Sequence, residues 1–202
     1  MQDLPVIQPQ TSERADAARN RERILCAARR LFDEKGASCV SMDEIAEAAG
    51  VGKGTLFRRF GSRAALAMAV LSEDESRLQE AFIRGEPPLG PGVPARERLI
   101  AFGEARLDLI DAHAELLSAA EAASAHLDSP PHMASRLHVT LLLREIDPDC
   151  DPELLAETLL AGLTAGLFVY LRDARGFSLE RIKEGWRRIV DGLVPAAPAV
   201  LG

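Results

Sequence analysis

Apolar residues recur every three or four positions along most of the chain, which is the period of an α-helix that buries one face. In the segment that begins near Asp16, the residues Ile24, Ala28 and Leu31 share one face, and Gly36 follows as a C-terminal cap. No stretch of useful length alternates between apolar and polar residues as a half-buried strand does. The pattern therefore predicts an all-α fold.

Two short helical segments follow, and a tight turn separates them. Ser41 and Glu44 have the spacing of a capping box, which predicts that a helix begins directly after Ser41. Gly50 is expected to end this helix, because glycine adopts left-handed backbone conformations without strain. Leu56 and Phe60 lie on the next segment. The region is therefore predicted to contain a helix, a turn and a second helix.

A long helix is predicted from about Arg63 to Phe82, and the proline- and glycine-rich segment 84–94 ends it. Beyond this loop, apolar periodicity predicts further helices at about 95–112, 114–126, 132–146, 152–173 and 178–193. We therefore expect a disordered tail at 1–15, an N-terminal domain at 16–62, a C-terminal helical domain at 63–194 and a second tail at 195–202.

The composition is that of a globular helical protein, but the charged residues are distributed unevenly along the chain. The chain has 202 residues, 47% of them hydrophobic, and a net charge of −7. Residues 1–66 carry 11 basic and 9 acidic side chains, whereas residues 67–202 carry 13 and 22. A mildly basic first part and a clearly acidic remainder suggest two different roles.

Targeting segments and metal sites find no support in the sequence. The first ten residues lack the basic and apolar regions of a signal peptide, and no stretch has the length of a transmembrane helix. The spacing of Cys26, Cys39 and Cys150 suits neither a disulfide framework nor a zinc site. We expect a cytoplasmic protein with reduced thiols, no cofactor, no metal and no membrane partner.

The stretch GVGKGT at residues 50–55 raises the question of a phosphate-binding loop. A nucleotide-hydrolase loop would need glycine at Glu47 and a hydroxyl at Gly54, and a dinucleotide fingerprint would need glycine at Thr55. Both motifs also follow a strand, whereas a capped helix is predicted here. A nucleotide-binding enzyme is therefore the weakest of the alternatives.

A helix-turn-helix fits the same residues. Ala46 is small where two helices must approach, Gly50 provides the turn, and Val51 and Leu56 fill the angle between the helices. The second helix would begin near Lys53, with free amides that bind phosphate oxygens and with arginines that can read guanine. The polar and permissive residues on this helix are Lys53, Gly54, Thr55, Arg58 and Arg59.

Residues 22–66, ERILCAARRLFDEKGASCVSMDEIAEAAGVGKGTLFRRFGSRAAL, resemble the DNA-binding domain of the tetracycline-repressor (TetR) family of bacterial transcription factors. The resemblance implies an all-α homodimer. Its three N-terminal helices would bind a double-stranded DNA operator. Its larger C-terminal helical domain would bind a small-molecule effector of unknown identity and form the dimer.

The resemblance also implies roles for individual residues. Ser41 and Thr55 would contact backbone phosphates, while Lys53, Gly54 and Arg58 would approach bases. One departure is Phe57, which stands where many relatives have tyrosine and which lacks the hydroxyl that could reach a phosphate. Arg59 and Arg63 stand where relatives commonly have a phosphate-binding histidine and a lysine. The predicted DNA-binding residues are Ser41, Lys53, Gly54, Thr55, Phe57, Arg58, Arg59 and Arg63.

The C-terminal half offers weaker signals for an effector pocket. Its histidines lack the three- or four-residue spacing of a helical metal site. Its large apolar residues fit a helical core as well as they fit a pocket. The candidate pocket residues are Phe102, Arg106, Leu109, His113, Leu137, Leu141 and Phe168.

The last two predicted helices carry the signal for a dimer interface. The segment LLAETLLAGLTAGLFVYL is too apolar to bury a single face, and its small residues permit a close approach of a partner helix. Closure of the monomer's own core is the alternative. The candidate interface residues are Leu159, Gly162, Ala165, Gly166, Val169, Ile182, Trp186 and Ile189.

Together these features predict a TetR-type repressor that an effector releases from a palindromic operator. The alternatives are a helical DNA-binding protein that responds to no ligand and, less favoured, a nucleotide-binding enzyme. No grouping of a nucleophile, a histidine and a carboxylate supports an enzyme.

Overall fold

A computed structural model describes residues 11–36, 39–121, 127 and 129–193 of the chain. All regular structure in these ranges is helical, and no strand occurs among them. The predicted all-α class is therefore confirmed. Residues 1–10 of the predicted first tail and residues 195–202 of the second lie outside the described residues.

The chain divides into two compact units, residues 1–70 and 71–202. Helix α1 begins at Thr11 rather than near Asp16, because residues 11–15 include good helix formers and no glycine or proline. The first unit ends within α4, whose early residues Leu66 and Val70 are fully buried. Its helices are α1 (Thr11–Lys35), α2 (Met42–Ala49), α3 (Lys53–Phe60) and the beginning of α4 (Arg63–Arg84).

The core of the first unit forms where α2 contacts both α1 and α3. Ile24 and Ala28 of α1 and Ile45 of α2 are fully buried, as their spacing predicts. Leu56 is the buried residue of α3. Leu56 is thus the fully buried side chain that anchors α3 in the core, while Lys53, Gly54 and residues 57–59 are exposed.

The second unit contains the rest of α4 and the other helices of the described chain. The loop predicted at 84–94 is confirmed between α4 and α5. A single π-helical turn, Tyr170–Ala174, continues α8. The helices are α5 (Ala95–Glu121), α6 (Pro130–Ile146), α7 (Pro152–Ala161), α8 (Ala165–Val169) and α9 (Leu179–Asp191).

The predicted helix at 152–173 is wrong, because the structure divides it after Ala161. Thr164 is extended, at φ −99° and ψ 148°, and α8 begins after it. The carboxylate of Glu121 accepts hydrogen bonds from the amides of Ala165 (2.9 Å) and Gly166 (3.2 Å). A residue more than 40 positions away thus caps α8, which the local apolar pattern does not reveal.

The predicted division between segments 95–112 and 114–126 is a kink within α5. His113 has φ −131° and ψ 25°, outside the helical region, but α5 continues to Glu121. The Nε2 atom of His113 lies 2.9 Å from Oδ2 of Asp74 on α4. This buried polar contact holds the kinked position against α4.

The core of the second unit is organised around α5, which contacts α6, α8 and α9. Phe102 is fully buried, and its ring contacts that of Phe82 with centroids 5.6 Å apart. Trp186 of α9 is buried as well and donates from Nε1 to the carbonyl of Ile100 at 3.1 Å. Trp186 therefore anchors α9 to α5 inside the monomer.

Within the described residues, no single helix combines the length and the apolar character needed to cross a membrane. The segments Pro152–Ala161 and Ala165–Ala174 satisfy both conditions only when taken together, and a bend of 42° separates them.

Candidate nucleic-acid interface

The turn between α2 and α3 is built by local hydrogen bonds. Ser41 accepts from the amide of Glu44 at 3.2 Å, and Glu44 accepts from the amide of Ser41 at 2.9 Å, so the predicted capping box is confirmed. Gly50 ends α2 with φ 62° and ψ 40°, the left-handed conformation expected of it. The amide of Val51 donates to the carbonyl of Ala46 at 3.0 Å. These contacts determine the direction in which α3 leaves the turn.

Helix α3 presents a basic surface to solvent. Its sequence, KGTLFRRF, contains three cations and no acidic residue. Lys53, Arg58 and Arg59 are exposed, and Phe57 is exposed too, whereas Leu56 is fully buried. An exposed basic helix that follows a tight turn is the arrangement with which helix-turn-helix proteins enter the major groove.

The two arginines of α3 differ in their contacts. Arg58 makes no hydrogen bond or ion pair with another described residue. Arg59 donates from Nη1 to the carbonyl oxygen of Ala17 on α1, at 2.7 Å. In this structure Arg59 thus connects α3 to α1, whereas Arg58 is available for a ligand.

Lys53 is paired within the protein. Its Nζ donates to Oδ2 of Asp43, in the first turn of α2, and both side chains are more than half exposed. The pair brings the beginning of α3 next to the beginning of α2, where Ser41 lies. The hydroxyl of Ser41 donates to Oε2 of Glu44 at 2.8 Å, so this hydroxyl already takes part in the cap.

The remaining predicted residues lie at the ends of helices in the same unit. Gly54 is in the first turn of α3, where a Cβ would find no atom within 4 Å, and Thr55 is half-buried. Arg63 is the exposed first residue of α4. The first unit thus contains all eight predicted DNA-binding residues, with Arg59 directed to α1.

Sequence reasoning missed four residues that shape this surface. Asp43 neutralises Lys53, and the carbonyl of Ala17 receives Arg59. The guanidinium of Arg21 lies 5.9 Å from the ring centroid of Phe60, and Arg23 reaches the carbonyl of Gly50 at 3.5 Å. The position of Asp43 in the first turn of α2 is the signal that could have found it, while the α1 contacts are between distant positions.

The seven predicted effector-pocket residues do not come together in one cavity. Phe102, Leu109, His113 and Phe168 are buried in the second unit. Leu137 and Leu141 are 61% and 48% exposed, because they lie on the outer face of α6. Arg106 lines a cavity of about 270 Å³, together with residues of α6 and α7.

The predicted dimer residues divide into two groups. Leu159, Ala165 and Trp186 are buried within the chain's own core, and Leu159 and Trp186 also line the apolar groove that Ile189 borders. Ile189 is 55% exposed and, with Gly162 and Ile182, borders an apolar groove of about 480 Å³. Gly166 is also exposed and Val169 half-buried.

The described residues contain no group of three or more histidine, cysteine or acidic side chains arranged to hold a metal ion. His126, one of the histidines considered in the sequence, lies outside the described residues. Cys26, Cys39 and Cys150 form no disulfide bond with one another.

The sequence of the first unit is similar to those of known bacterial regulatory proteins. The family model for bacterial regulatory proteins of the tetR family matches residues 24–70. The HTH-type transcriptional regulator SAB2452 of Staphylococcus aureus (strain bovine RF122 / ET3-1) is 44% identical over 61 residues, which are 30% of this chain and 33% of that protein. The match thus spans about a third of the length of the relative.

The fold of the whole described chain has matches among solved structures. The TetR transcriptional regulator SCO0520 of Streptomyces coelicolor has a TM-score of 0.59 and 27% identity, covering 88% of this chain and 99% of that one. NemR of E. coli in its reduced form has a TM-score of 0.57 and 21% identity, covering 90% and 100%. The latter likeness concerns the fold alone.

Proposed function

Since this chain belongs to the TetR family of bacterial regulatory proteins, we propose that it is a DNA-binding transcriptional repressor that acts in the cytoplasm. The observation that carries the proposal is α3 itself, a helix fixed by buried Leu56 that presents an exposed Arg58 without a partner among the described residues. A helix of this kind supplies the cations and free amides that phosphates and base edges require.

The proposed DNA contacts follow the placement of the residues. Arg58 and Lys53 approach base edges in the major groove, and Gly54 lets the backbone come close to the DNA. The hydroxyl of Thr55 and the cation of Arg63 bind phosphates. Ser41, at the beginning of α2, contacts a phosphate when its hydroxyl turns from Glu44, to which it donates here, toward the DNA.

The proposed assembly is a homodimer on a palindromic operator. Two copies of α3 would enter successive major grooves about 34–36 Å apart. The exposed apolar residues beside the groove between α7, α8 and α9 support a partner at this face, because large exposed apolar patches commonly mark interaction surfaces. The predicted interface residues that line this groove are Leu159, Gly162, Ile182, Trp186 and Ile189, of which Ile189 is the most exposed large apolar side chain.

An effector would act by population shift. A small molecule that binds the second unit more tightly in one dimer shape than in another changes the fraction of dimers that fit the operator. The effector can weaken the free energy of operator binding by no more than the difference between its own binding free energies for the two dimer shapes. The cavity at Arg106 favours this function over the ligand-independent alternative, since it offers a place for a small molecule.

The test begins with a selection of bound sequences from random duplex DNA, followed by affinity measurements on the selected fragment. Arg58→Ala is expected to weaken binding by about tenfold or more, because a bidentate arginine contributes roughly 1–3 kcal/mol of base discrimination. Arg84→Ala is the matched control, since Arg84 is an exposed arginine outside the first unit that pairs with Glu80.

Two results would contradict the proposal. Failure of the selection to enrich any sequence would exclude an operator. Equal affinities of Arg58→Ala, Arg84→Ala and the unmodified protein for an enriched sequence would exclude α3 as the helix that reads it. Circular dichroism on each variant separates a lost contact from a lost fold.

A further inference from the structure

The cavity at Arg106 lies between α5, α6, α7 and the segment that leads into α8. Its volume of about 270 Å³ is near the lower end of the range for ligand pockets, roughly 300–1,000 Å³. A small molecule therefore suits it better than a drug-sized one. Its described lining consists of the apolar residues Leu127, Leu160, Ala161 and Leu163 and the polar residues Arg106, His132, Ser135, Glu157 and Thr164.

Arg106 is the group in this cavity with unused hydrogen-bonding capacity. Its side chain is 11% exposed, and its Nη1 lies 3.8 Å from Oε1 of Glu75, which is beyond hydrogen-bond distance. The ion pair with Glu75 engages only part of the guanidinium, which has five N–H donors. Because Arg106 lines the cavity, an oxygen atom brought by a ligand can accept a hydrogen bond from the donors that Glu75 does not engage.

The charge around Arg106 decides which kind of oxygen fits. Burial lowers the pKa of Arg106, while the carboxylates of Glu75 and Glu121 favour its charged form. The cation thus has an ion-pair partner in Glu75, and the carboxylate of Glu121 adds a further favourable charge interaction. A ligand carboxylate would add a further negative charge near these carboxylates and would have to lose its own hydration.

The far side of the cavity adds no free cation. His132 lies 3.6 Å from Glu157, and Arg136 pairs with the same carboxylate at 3.3 Å. Both basic groups thus have an acidic partner within the protein. An uncharged acceptor can satisfy the donors of Arg106 without disturbing any of these pairs.

We propose that this cavity binds a small, mostly apolar, uncharged molecule that presents a carbonyl-type oxygen to Arg106. The proposal rests on the proposed function in one respect, because such a molecule would be the effector of the repressor. The apolar side chains of Leu160 and Leu163 enclose the hydrocarbon part of the ligand, and Arg106 selects its polar end.

Three probes of nearly equal shape test the chemistry on the full-length protein without DNA. Acetophenone carries a neutral carbonyl, benzoate carries a carboxylate, and cumene carries neither. Calorimetry or ligand-observed NMR is expected to give acetophenone an affinity about tenfold or more above each of the others, as for one hydrogen bond from a charged donor.

Two variants assign the preference to Arg106. Arg106→Met removes the donors and keeps a long apolar side chain, so acetophenone and cumene should then bind equally. Because this change removes a cation beside Glu75, the double variant R106M/E75Q provides a second test with balanced charge. Arg144→Met, on the exposed part of α6, is the matched control and should keep the preference for acetophenone.

Several results would overturn the proposal. Tighter binding of benzoate would identify an anion site, and a preference that persists in both Arg106 variants would exclude Arg106 as the selecting group. Binding of none of the probes would exclude the cavity. Operator affinity is measured separately, so that an effect of acetophenone on binding but not on DNA release contradicts the effector role and leaves the ligand class supported.

Discussion

Arg59 donates a hydrogen bond from Nη1 to the carbonyl oxygen of Ala17, 2.7 Å away on α1. The contact joins the end of the proposed reading helix to the N-terminal half of α1, well before the first core residue of that helix, Ile24. Arg21 approaches the neighbouring Phe60 from the same part of α1. Two adjacent arginines of α3 thus differ in their contacts, since Arg59 bonds to α1 and Arg58 makes no hydrogen bond or ion pair with another described residue.

Salt dependence of DNA binding and amide hydrogen exchange together test the role of Arg59. Each phosphate contact that is lost reduces the slope of log K against log salt by about one. Arg59→Met should leave this slope unchanged and should accelerate amide hydrogen exchange in residues 11–20, because it removes the link to α1. Arg58→Ala should leave the exchange of residues 11–20 unchanged. A slope reduced by about one in Arg59→Met would instead make Arg59 a phosphate contact.

The local features of the first unit could be predicted from sequence because their partners are close along the chain. The Ser41–Glu44 capping box and the left-handed Gly50 depend on residues within one helical turn. The burial of Ile24, Ala28 and Leu56 follows from a regular spacing. Short-range geometry of this kind is encoded by residue type and position alone.

The features that escaped prediction depend on contacts between distant positions. Glu121 caps α8 although more than 40 residues of sequence separate them. Asp74, which contacts the kinked position His113, is 39 residues away from it in the sequence. The exposed face of Leu137 and Leu141 could not be told from a pocket, because both are apolar at helical spacing. Which apolar face is covered depends on the packing of other helices, which periodicity does not determine.

Removal of the carboxylate that pairs with Lys53 should strengthen DNA binding. Asp43→Asn frees Lys53 and also removes a negative charge beside the proposed DNA surface. Glu47→Gln makes the same change of charge on an exposed residue of α2 whose side chain has no partner among the described residues. Fluorescence anisotropy with the selected operator at low salt should show a larger gain for Asp43→Asn. Equal gains would mean that Lys53 is not restrained by its pair.

The capping box should give the first unit a dependence on acidic pH. The hydrogen bond from Lys35, with further bonds from the amide and hydroxyl of Ser41, lowers the pKa of Glu44 from 4.5 to about 2. A lowered pKa means that the folded state favours the carboxylate. Its contribution is therefore complete above about pH 4.5 and is lost as the pH falls toward 2.

Thermal unfolding of the wild type and of Glu44→Gln measures this contribution. The difference in Tm between the two should be constant above pH 5 and should shrink between about pH 4.5 and pH 2. Glu47→Gln provides the control, because the Tm difference between this variant and the wild type should not shrink in the same way between about pH 4.5 and pH 2. A Tm difference for Glu44→Gln that does not vary with pH would contradict the proposed pairing.

The exposed end of α9 provides the test of the dimer. Ile189→Lys places a charge beside the apolar groove between α7, α8 and α9, where it should increase the dissociation constant of the dimer. Ile83→Lys is the matched control, since Ile83 is 52% exposed on α4 and Ile189 is 55% exposed. Sedimentation velocity over a concentration series should show monomers for Ile189→Lys alone. Dimers of unchanged stability in both variants would exclude this face.

The contact between Trp186 and Gly103 leads to a prediction for the core of the second unit. A Cβ added to Gly103 would lie 1.9 Å from Cε2 of Trp186, whose ring is held by its hydrogen bond to Ile100. Gly103→Ala should therefore destabilise the protein by about 1–3 kcal/mol or more, as overpacking of a core does. Gly185→Ala on α9 is the control, because a Cβ there meets no atom within 4 Å.

The two glycine variants should change stability in opposite directions. Alanine is favoured over glycine inside a helix by about 1 kcal/mol, so Gly185→Ala should raise the midpoint of urea unfolding slightly. Gly103→Ala has the same gain in helix propensity, but the clash with the indole outweighs it. If both variants were stabilised, the indole would have room to move away from α5. The tight packing of Trp186 against Gly103, which keeps Trp186 inside the monomer core, would then be refuted.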